Sequence, residues 1–360
     1  MPLPWAVNRE ECTCFLKKKS VPVRYLIVCL FCAVIAHNAS SQVLSDWQLL
    51  PLLDRAHIEM ANDNFIRATE ILDDAISQGI DNRYLEAAAY LTRSHIHLFT
   101  WQFDEALSDI LYSIELVYDY APSHELLSII HNRMGRYSDA LQVINRAIEL
   151  DNQELNFFIN RAVFYTNLHE YERALRDLNY VLNIEPRNAV ALSAKSSVYA
   201  SINNYGRALF YINQAIDIMP MDRDFLRIRG VINDDMGNFD AALADYSRAI
   251  ELNIQHPGVF RRRGLILNRM GRNHEAVDDF TAALRITPND PRLFRHRAEA
   301  NIDMHNFLNA MGDMIEYVRL TGDEELLAEI QEEWSLLLPD IEFYKQLRQL
   351  VEFLDAIRAE

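Results

Sequence analysis

The chain has 360 residues, and its 52 Asp and Glu outnumber its 35 Lys and Arg to leave a formal charge of −17. That balance opposes binding to nucleic-acid phosphates, which needs Lys and Arg to displace counterions, and it opposes attraction to an anionic membrane surface. Half of the residues are apolar, enough for a large core, and their placement along the chain decides which kind of core it is.

Residues 1–41 read as a leader. Lys17, Lys18, Lys19 and Arg24 precede an apolar run from Tyr25 to Ala36, and the polar stretch His37 to Ser41 follows. Twelve apolar residues fall short of the about 20 that span a bilayer. A basic flank, a short apolar core and small residues at the exit predict a secretory signal peptide cleaved near Ala36. The alternative is an uncleaved anchor through 25–36. All four cysteines, Cys12, Cys14, Cys29 and Cys32, lie in this leader, so the remainder needs no disulfide in an oxidising compartment. The expected location is therefore the periplasm or the cell exterior.

Beyond the leader an alanine recurs: Ala68, Ala106, Ala140, Ala174, Ala208, Ala242, Ala276 and Ala310, spaced by 34 residues after a first step of 38. Such a period marks an array of one supersecondary unit. The units are 49–82, 87–120, 121–154, 155–188, 189–222, 223–256, 257–290 and 291–324, within an array 42–324. Three residues before the alanine stands an aromatic (Phe65, Phe103, Tyr137, Tyr171, Tyr205, Phe239, Phe307), with Asn273 the exception. Four residues after it stands a bulky apolar side chain, and seven after it usually a second alanine. Small, large and small at that spacing share one helical face, so a helix begins near each aromatic. An earlier helix carries a small eighth residue, such as Ser94 or Gly230, where two helices touch. Short polar turns such as Met134-Gly135-Arg136-Tyr137 join the two, and Pro186, Pro220 and Pro288 stop second helices. Each unit is thus a helix hairpin that buries its apolar face only by stacking on neighbours.

These features, with segments such as Tyr171-Glu172-Arg173-Ala174-Leu175 and Asp240-Ala241-Ala242-Leu243, resemble the tetratricopeptide repeat over roughly 49–324. The resemblance implies an all-α, right-handed superhelical solenoid of about eight hairpins, whose concave face, made by the first helices, holds a protein or peptide segment.

The seventh residue, apolar in that family, is Arg93, Arg161, Arg229, Arg263 and Arg297 in five units, and those units carry Asp109, Asp177, Asp245, Asp279 and Asp313 at position 23. The third unit has Leu127 and Val143 instead. Opposite charges that come and go together predict an ion pair within the unit rather than a ligand stripe. Where the rule fails, at Arg55 and Lys195, the cation is expected to face water.

On the family's geometry, positions 2, 5, 9, 12 and 13 of the first helix face the groove. In units 2 to 5 these are largely apolar, small or amide, including Leu91, Ile129, Ile159, Val163 and Asn167; toward units 6 to 8 they become charged, with Arg227, Arg261, Arg292 and Arg295, and Arg262 beside them. These ten residues are the candidate partner-binding set, suited to a segment with an apolar stretch and a C-terminal or side-chain carboxylate. Asp234 and Asp235 are too few to neutralise the arginines together; the competing reading is a solvated face balanced by its own acids. The family's carboxylate clamp is not reproduced in any three consecutive units.

His57, His95, His97, His124 and His131 crowd the N-terminal half. His57 and His95 are one unit apart, and helices about 10 Å apart suit a zinc site with ligands at about 2 Å poorly, so satisfied helix–helix histidines are expected and no metal. No H-E-x-x-H, G-x-S-x-G, phosphate-cradling glycine loop or C-x-x-C occurs after the leader. Neither catalysis, a cofactor, nucleic acid nor a small-molecule substrate is expected. Residues 325–360 lose the rhythm, and Leu326, Leu327, Ile330 and Trp334, then Phe343, Leu347 and Leu354, predict a capping helix pair. The chain reads as a non-enzymatic interaction scaffold. The alternative is a self-associating component of the cell envelope that uses its termini or convex face.

Overall fold

A computed structural model describes residues 50–254 and 256–323. The leader, the first residues of the array and the capping segment lie outside the described residues. Sixteen α-helices and no strand occur among those described. They are α1 (Leu50–Ala61), α2 (Phe65–Ser77), α3 (Arg83–Phe99), α4 (Phe103–Leu116), α5 (Ala121–Arg133), α6 (Tyr137–Leu150), α7 (Leu155–Asn167) and α8 (Tyr171–Ile184). There follow α9 (Ala189–Ser201), α10 (Tyr205–Ile218), α11 (Arg223–Asp235), α12 (Phe239–Glu251), α13 (Pro257–Arg269), α14 (Asn273–Ile286), α15 (Pro291–Asp303) and α16 (Phe307–Thr321). The architecture is an all-α repeat solenoid. Its helices fall into two compact units, one ending at Val181 and one beginning at Leu182.

In the first unit α1 packs on α2, α3 on α4 and α5 on α6, and the first helices α1, α3, α5 and α7 also touch in succession. The second unit repeats the scheme from α9 on α10 to α15 on α16. Every second helix starts on its aromatic or, for α14, on Asn273. The alanine three residues later is fully buried in all eight hairpins, so its lack of a larger side chain sets how closely neighbours approach. The 38-residue step appears as one more turn at the start of α3, from Arg83, capped by the Asn82 side chain on the Tyr84 N–H at 3.0 Å. The helices α8, α10 and α14 end two residues before Pro186, Pro220 and Pro288, while Pro257 and Pro291 open α13 and α15, where a missing N–H costs nothing.

The turn inside each hairpin is the same eight times. The N–H of residue 16 donates to the carbonyl of residue 11, as from Arg136 to His131 at 2.8 Å and from Asn238 to Asn233 at 2.8 Å. This closure places residue 15 in the left-handed region. Gly135, Gly237 and Gly271 meet that demand without cost, Asn203 and Asp63 at little cost, and Trp101, at φ 63°, against its own preference.

Where the two helices cross, residue sizes are matched. The hairpins with Ser94, Ser128 and Ser196 at position 8 carry Ile110, Ile144 and Ile212 at position 24, whereas Gly230 and Gly264 face the larger Tyr246 and Phe280. A Cβ on Gly230 would lie 2.7 Å from Tyr246, and one on Gly264 2.8 Å from Phe280.

All five arginine–aspartate pairs form. Two parallel bonds join Arg93 to Asp109 (2.7 and 2.7 Å), Arg161 to Asp177 (2.8 and 2.8 Å), Arg263 to Asp279 (2.8 and 2.6 Å) and Arg297 to Asp313 (2.9 and 2.6 Å). Arg229 holds Asp245 in the same way, with its shortest contact at 2.6 Å. The remaining Nη1 of each arginine reaches back to position 25 of the preceding hairpin, to Asp73, Asn145, Asn213, Ser247 and Thr281 in turn. One guanidinium therefore staples its own hairpin together and ties it to the one before. Arg55 is exposed, as expected. Lys195 is not: it is buried, with Nζ 4.6 Å from the centre of the Tyr211 ring. The tyrosine that replaces aspartate at position 23 offers the face of an aromatic ring, which holds a desolvated cation.

Candidate functional site

The charged end of the candidate set sits on α11, α13 and α15 of the second unit. Arg262 Nη1 donates to Asp234 at 2.6 Å and Asp235 at 3.0 Å, which joins α13 to α11. Arg227 Nε reaches Asp224 at 3.3 Å, and Arg295 Nε reaches Glu299 at 3.1 Å. Arg292 grips Asp290 at 2.9 and 2.8 Å, and the same carboxylate caps α15 by accepting the Arg292 N–H at 3.1 Å. Four of the five arginines thus have a carboxylate, and the expected row of under-compensated cations narrows to one. The acids Asp224 and Asp290 escaped the sequence reading, although a carboxylate two or three residues before an arginine at a helix start is a visible signal.

Arg261 is the remaining member. It is half-buried and has no hydrogen-bond or ion-pair partner among the described residues. Burial first, then the charges of Arg262 and Arg292, push its guanidinium below the ordinary arginine range, and Asp290 and Asp234 offset this only in part. A cation in that position is stabilised by an added anion more than any of its paired neighbours would be.

The apolar end lies on the first unit. Leu91 and Ile159 are buried, which removes them from any ligand-facing surface. Leu91 packs in a core cluster with Ala106, Ile110, Leu126 and Ile130. Position 5 lies between successive first helices, so an aliphatic side chain there is swallowed while a longer arginine can reach out. Ile129 is half-buried, and Val163 and Asn167 are exposed. The Asn167 amide donates to Asn132 at 2.7 Å, and the Asn160 amide to Glu125 at 2.7 Å, so α5 and α7 are linked by a polar seam on this face.

The histidines divide by partner. His57 Nε2 lies 3.3 Å from Thr92 Oγ1, while its buried Nδ1 has no partner among the described residues. His95 Nδ1 lies 3.2 Å from the Leu91 carbonyl, and burial pushes its imidazole down to about 4. His124 Nε2 donates to the Tyr118 carbonyl at 2.7 Å, and His97 Nδ1 sits 2.8 Å from Gln102 Oε1. Among the described residues no three His, Cys, Asp or Glu converge as a metal ion would require. No helix among them is long and apolar enough to cross a membrane.

Models of the tetratricopeptide repeat match residues 121–154 and 229–291. No curated protein matches the chain. Among solved structures, a tetratricopeptide repeat protein from Parabacteroides merdae is 18% identical with a TM-score of 0.53, over 70% of this chain and 98% of its own. The Cut9–Hcn1 hetero-tetramer of the APC/C gives 13% identity and a TM-score of 0.57, over 82% of this chain and 57% of the matched one. At those identities the likeness concerns the fold. Two matched segments in phase with eight hairpins that share one turn and one buried alanine place the chain among the tetratricopeptide-repeat proteins.

Proposed function

We propose that this chain is a protein-interaction scaffold that captures a segment of a partner protein on its first-helix face, centred on α13 of the second unit. The observation that carries the reading is Arg261, a half-buried cation without a carboxylate, set beside Arg262 and Arg292 on a strongly acidic chain. A local reversal of field of this kind favours one acidic side chain or a terminal carboxylate over a neutral segment. Catalysis has no part in this reading, in keeping with a repeat family that works mainly by binding. The basic, apolar and small-residue order of 17–41 supports export, so partners are to be sought in the envelope or outside the cell.

The test is capture of partners from an envelope fraction by the native chain and by R261E/R295E. Partner recovery should fall at least tenfold with the double variant, at unchanged helicity. It should also weaken with salt, because exposed charge pairs are screened over about 8 Å at physiological ionic strength. Equal recovery by both proteins would remove α13 and α15 from the binding surface.

A further inference from the structure

The third hairpin departs from the stapled pattern at three places at once. Where neighbours carry arginine, aspartate and a polar residue, it has Leu127 on α5, Val143 on α6 and, at position 25 of the preceding hairpin, Leu111 on α4. In five other hairpins, including both neighbours, a guanidinium fills the space between these positions. Here the space is an open hollow of about 380 Å³ with Leu111, Ile114, Leu127 and Val143 among its walls. Leu111 is half exposed there.

The rim of the hollow carries two polar groups with unmet demands. His131 and Arg146 both line it, and the buried His131 Nδ1 and Arg146 Nε have no hydrogen-bond partner among the described residues. Arg146 is held in place, not disordered by this: its Nη1 donates to Glu149 at 3.1 Å, and the guanidinium lies 5.5 Å from the centre of the Tyr118 ring. An apolar floor beside a guanidinium that keeps 38% of its side-chain surface exposed suits an aliphatic side chain accompanied by an acceptor. Asp139, also on the rim, excludes a run of acids and limits the partner to a single carboxylate.

We propose that this hollow is a second docking surface, which takes one leucine-sized side chain of a partner protein together with a carboxylate within a helical turn of it. All the residues it uses lie in the first unit, on α4, α5 and α6, so it is independent of the reading given to Arg261.

The test uses the full chain with methyl-labelled leucine and valine, and a set of ten-residue blocked peptides in an Ala–Gln background. Each peptide carries one Leu and one Glu, one to four positions apart. At least one should shift the methyl resonances of Leu111, Leu127 and Val143 in a saturable way, and its Leu→Ser and Glu→Gln forms should bind at least tenfold more weakly. The decisive variant, L111N/L127R/V143D, installs the triad that Asn145, Arg161 and Asp177 form in the next hairpin. It should fold, fill the hollow and reduce peptide affinity at least tenfold. Absence of saturable shifts at these methyls with every peptide would overturn the proposal, as would undiminished affinity in the variant. So would a dimer, seen by sedimentation equilibrium, that the variant abolishes, since the occupant would then be a second copy of this chain. Should the triple variant unfold, L111Q alone, at a half-exposed site, should weaken the same peptide several-fold, and no change would refute the assignment.

Discussion

Replacing Asp279 by alanine should be more damaging than replacing the whole pair it belongs to. Asp279 is almost fully buried and receives Nε and Nη2 of Arg263 at 2.8 and 2.6 Å, while Ser247 holds the Nη1 at 3.1 Å. Without Asp279, two charge-assisted bonds vanish and a guanidinium with only 22% of its side-chain surface exposed is left without a counter-ion. Unsatisfied buried donors cost about 1–3 kcal/mol and broken buried ion pairs about 3–5, so D279A should cost about 3 kcal/mol. The pair itself gains less than its geometry suggests. Burial pushes the Asp279 carboxyl above its usual range even against the pull of Arg263, so desolvation outweighs attraction. R263L/D279V, the combination already present as Leu127 and Val143, should therefore cost only about 1 kcal/mol, from the loss of the tie to Ser247. Urea unfolding followed by circular dichroism supplies the double-mutant cycle, and hydrogen exchange of α13 and α14 shows that the loss is local, as expected for an array whose hairpins contact only their neighbours. A double variant as unstable as the sum of R263L and D279V would refute the assignment of the two residues as partners.

Gly264→Ala should destabilise by about 1–3 kcal/mol, because the new Cβ overlaps Phe280, and F280I should recover much of it by restoring the small-residue–isoleucine match of other hairpins. Trp101→Gly should raise the melting temperature of the chain by a few degrees, since about 1 kcal/mol of left-handed strain is relieved. The imidazoles of His57 and His95 are both lowered by burial, His95 to about 4, whereas unfolded histidine titrates near 6.5. The unfolded chain then binds more protons between those values, so this contribution to stability is complete above about 6.5 and is lost as pH falls toward 4. Melting curves at pH 7 and pH 4.5 should diverge less for H95Q than for the native chain. N-terminal sequencing of the native protein should find a start within a few residues of Ala36, and an intact Met1 on soluble cytoplasmic protein would contradict export.

Inside a hairpin, spacing in the sequence was sufficient. The alanine period, the aromatic at each second helix and the coupled Arg and Asp positions all describe contacts whose register a 34-residue unit sets by itself. Contacts between hairpins were harder to read. The third bond of each staple, the hold of Arg262 on Asp234 and the burial of Leu91 and Ile159 depend on how far one first helix stands from the next, a distance that periodicity leaves open. Lys195 is buried against expectation, and its contact with the face of the Tyr211 ring is one that no charge in the sequence announces. The candidate site was legible in its residue types, but its charge balance was not. Asp224 and Asp290 neutralise arginines from helix starts, two or three residues ahead of them.

Site-specific photo-crosslinking in the native compartment tests most directly whether the first-helix face is the surface that meets a partner. A photo-reactive residue in place of Arg269, exposed at the end of α13, should form adducts with a partner protein, and the same residue in place of Asp278, exposed on α14, should not. Adducts from position 278 and none from 269 would contradict the account and move the interaction to the second helices.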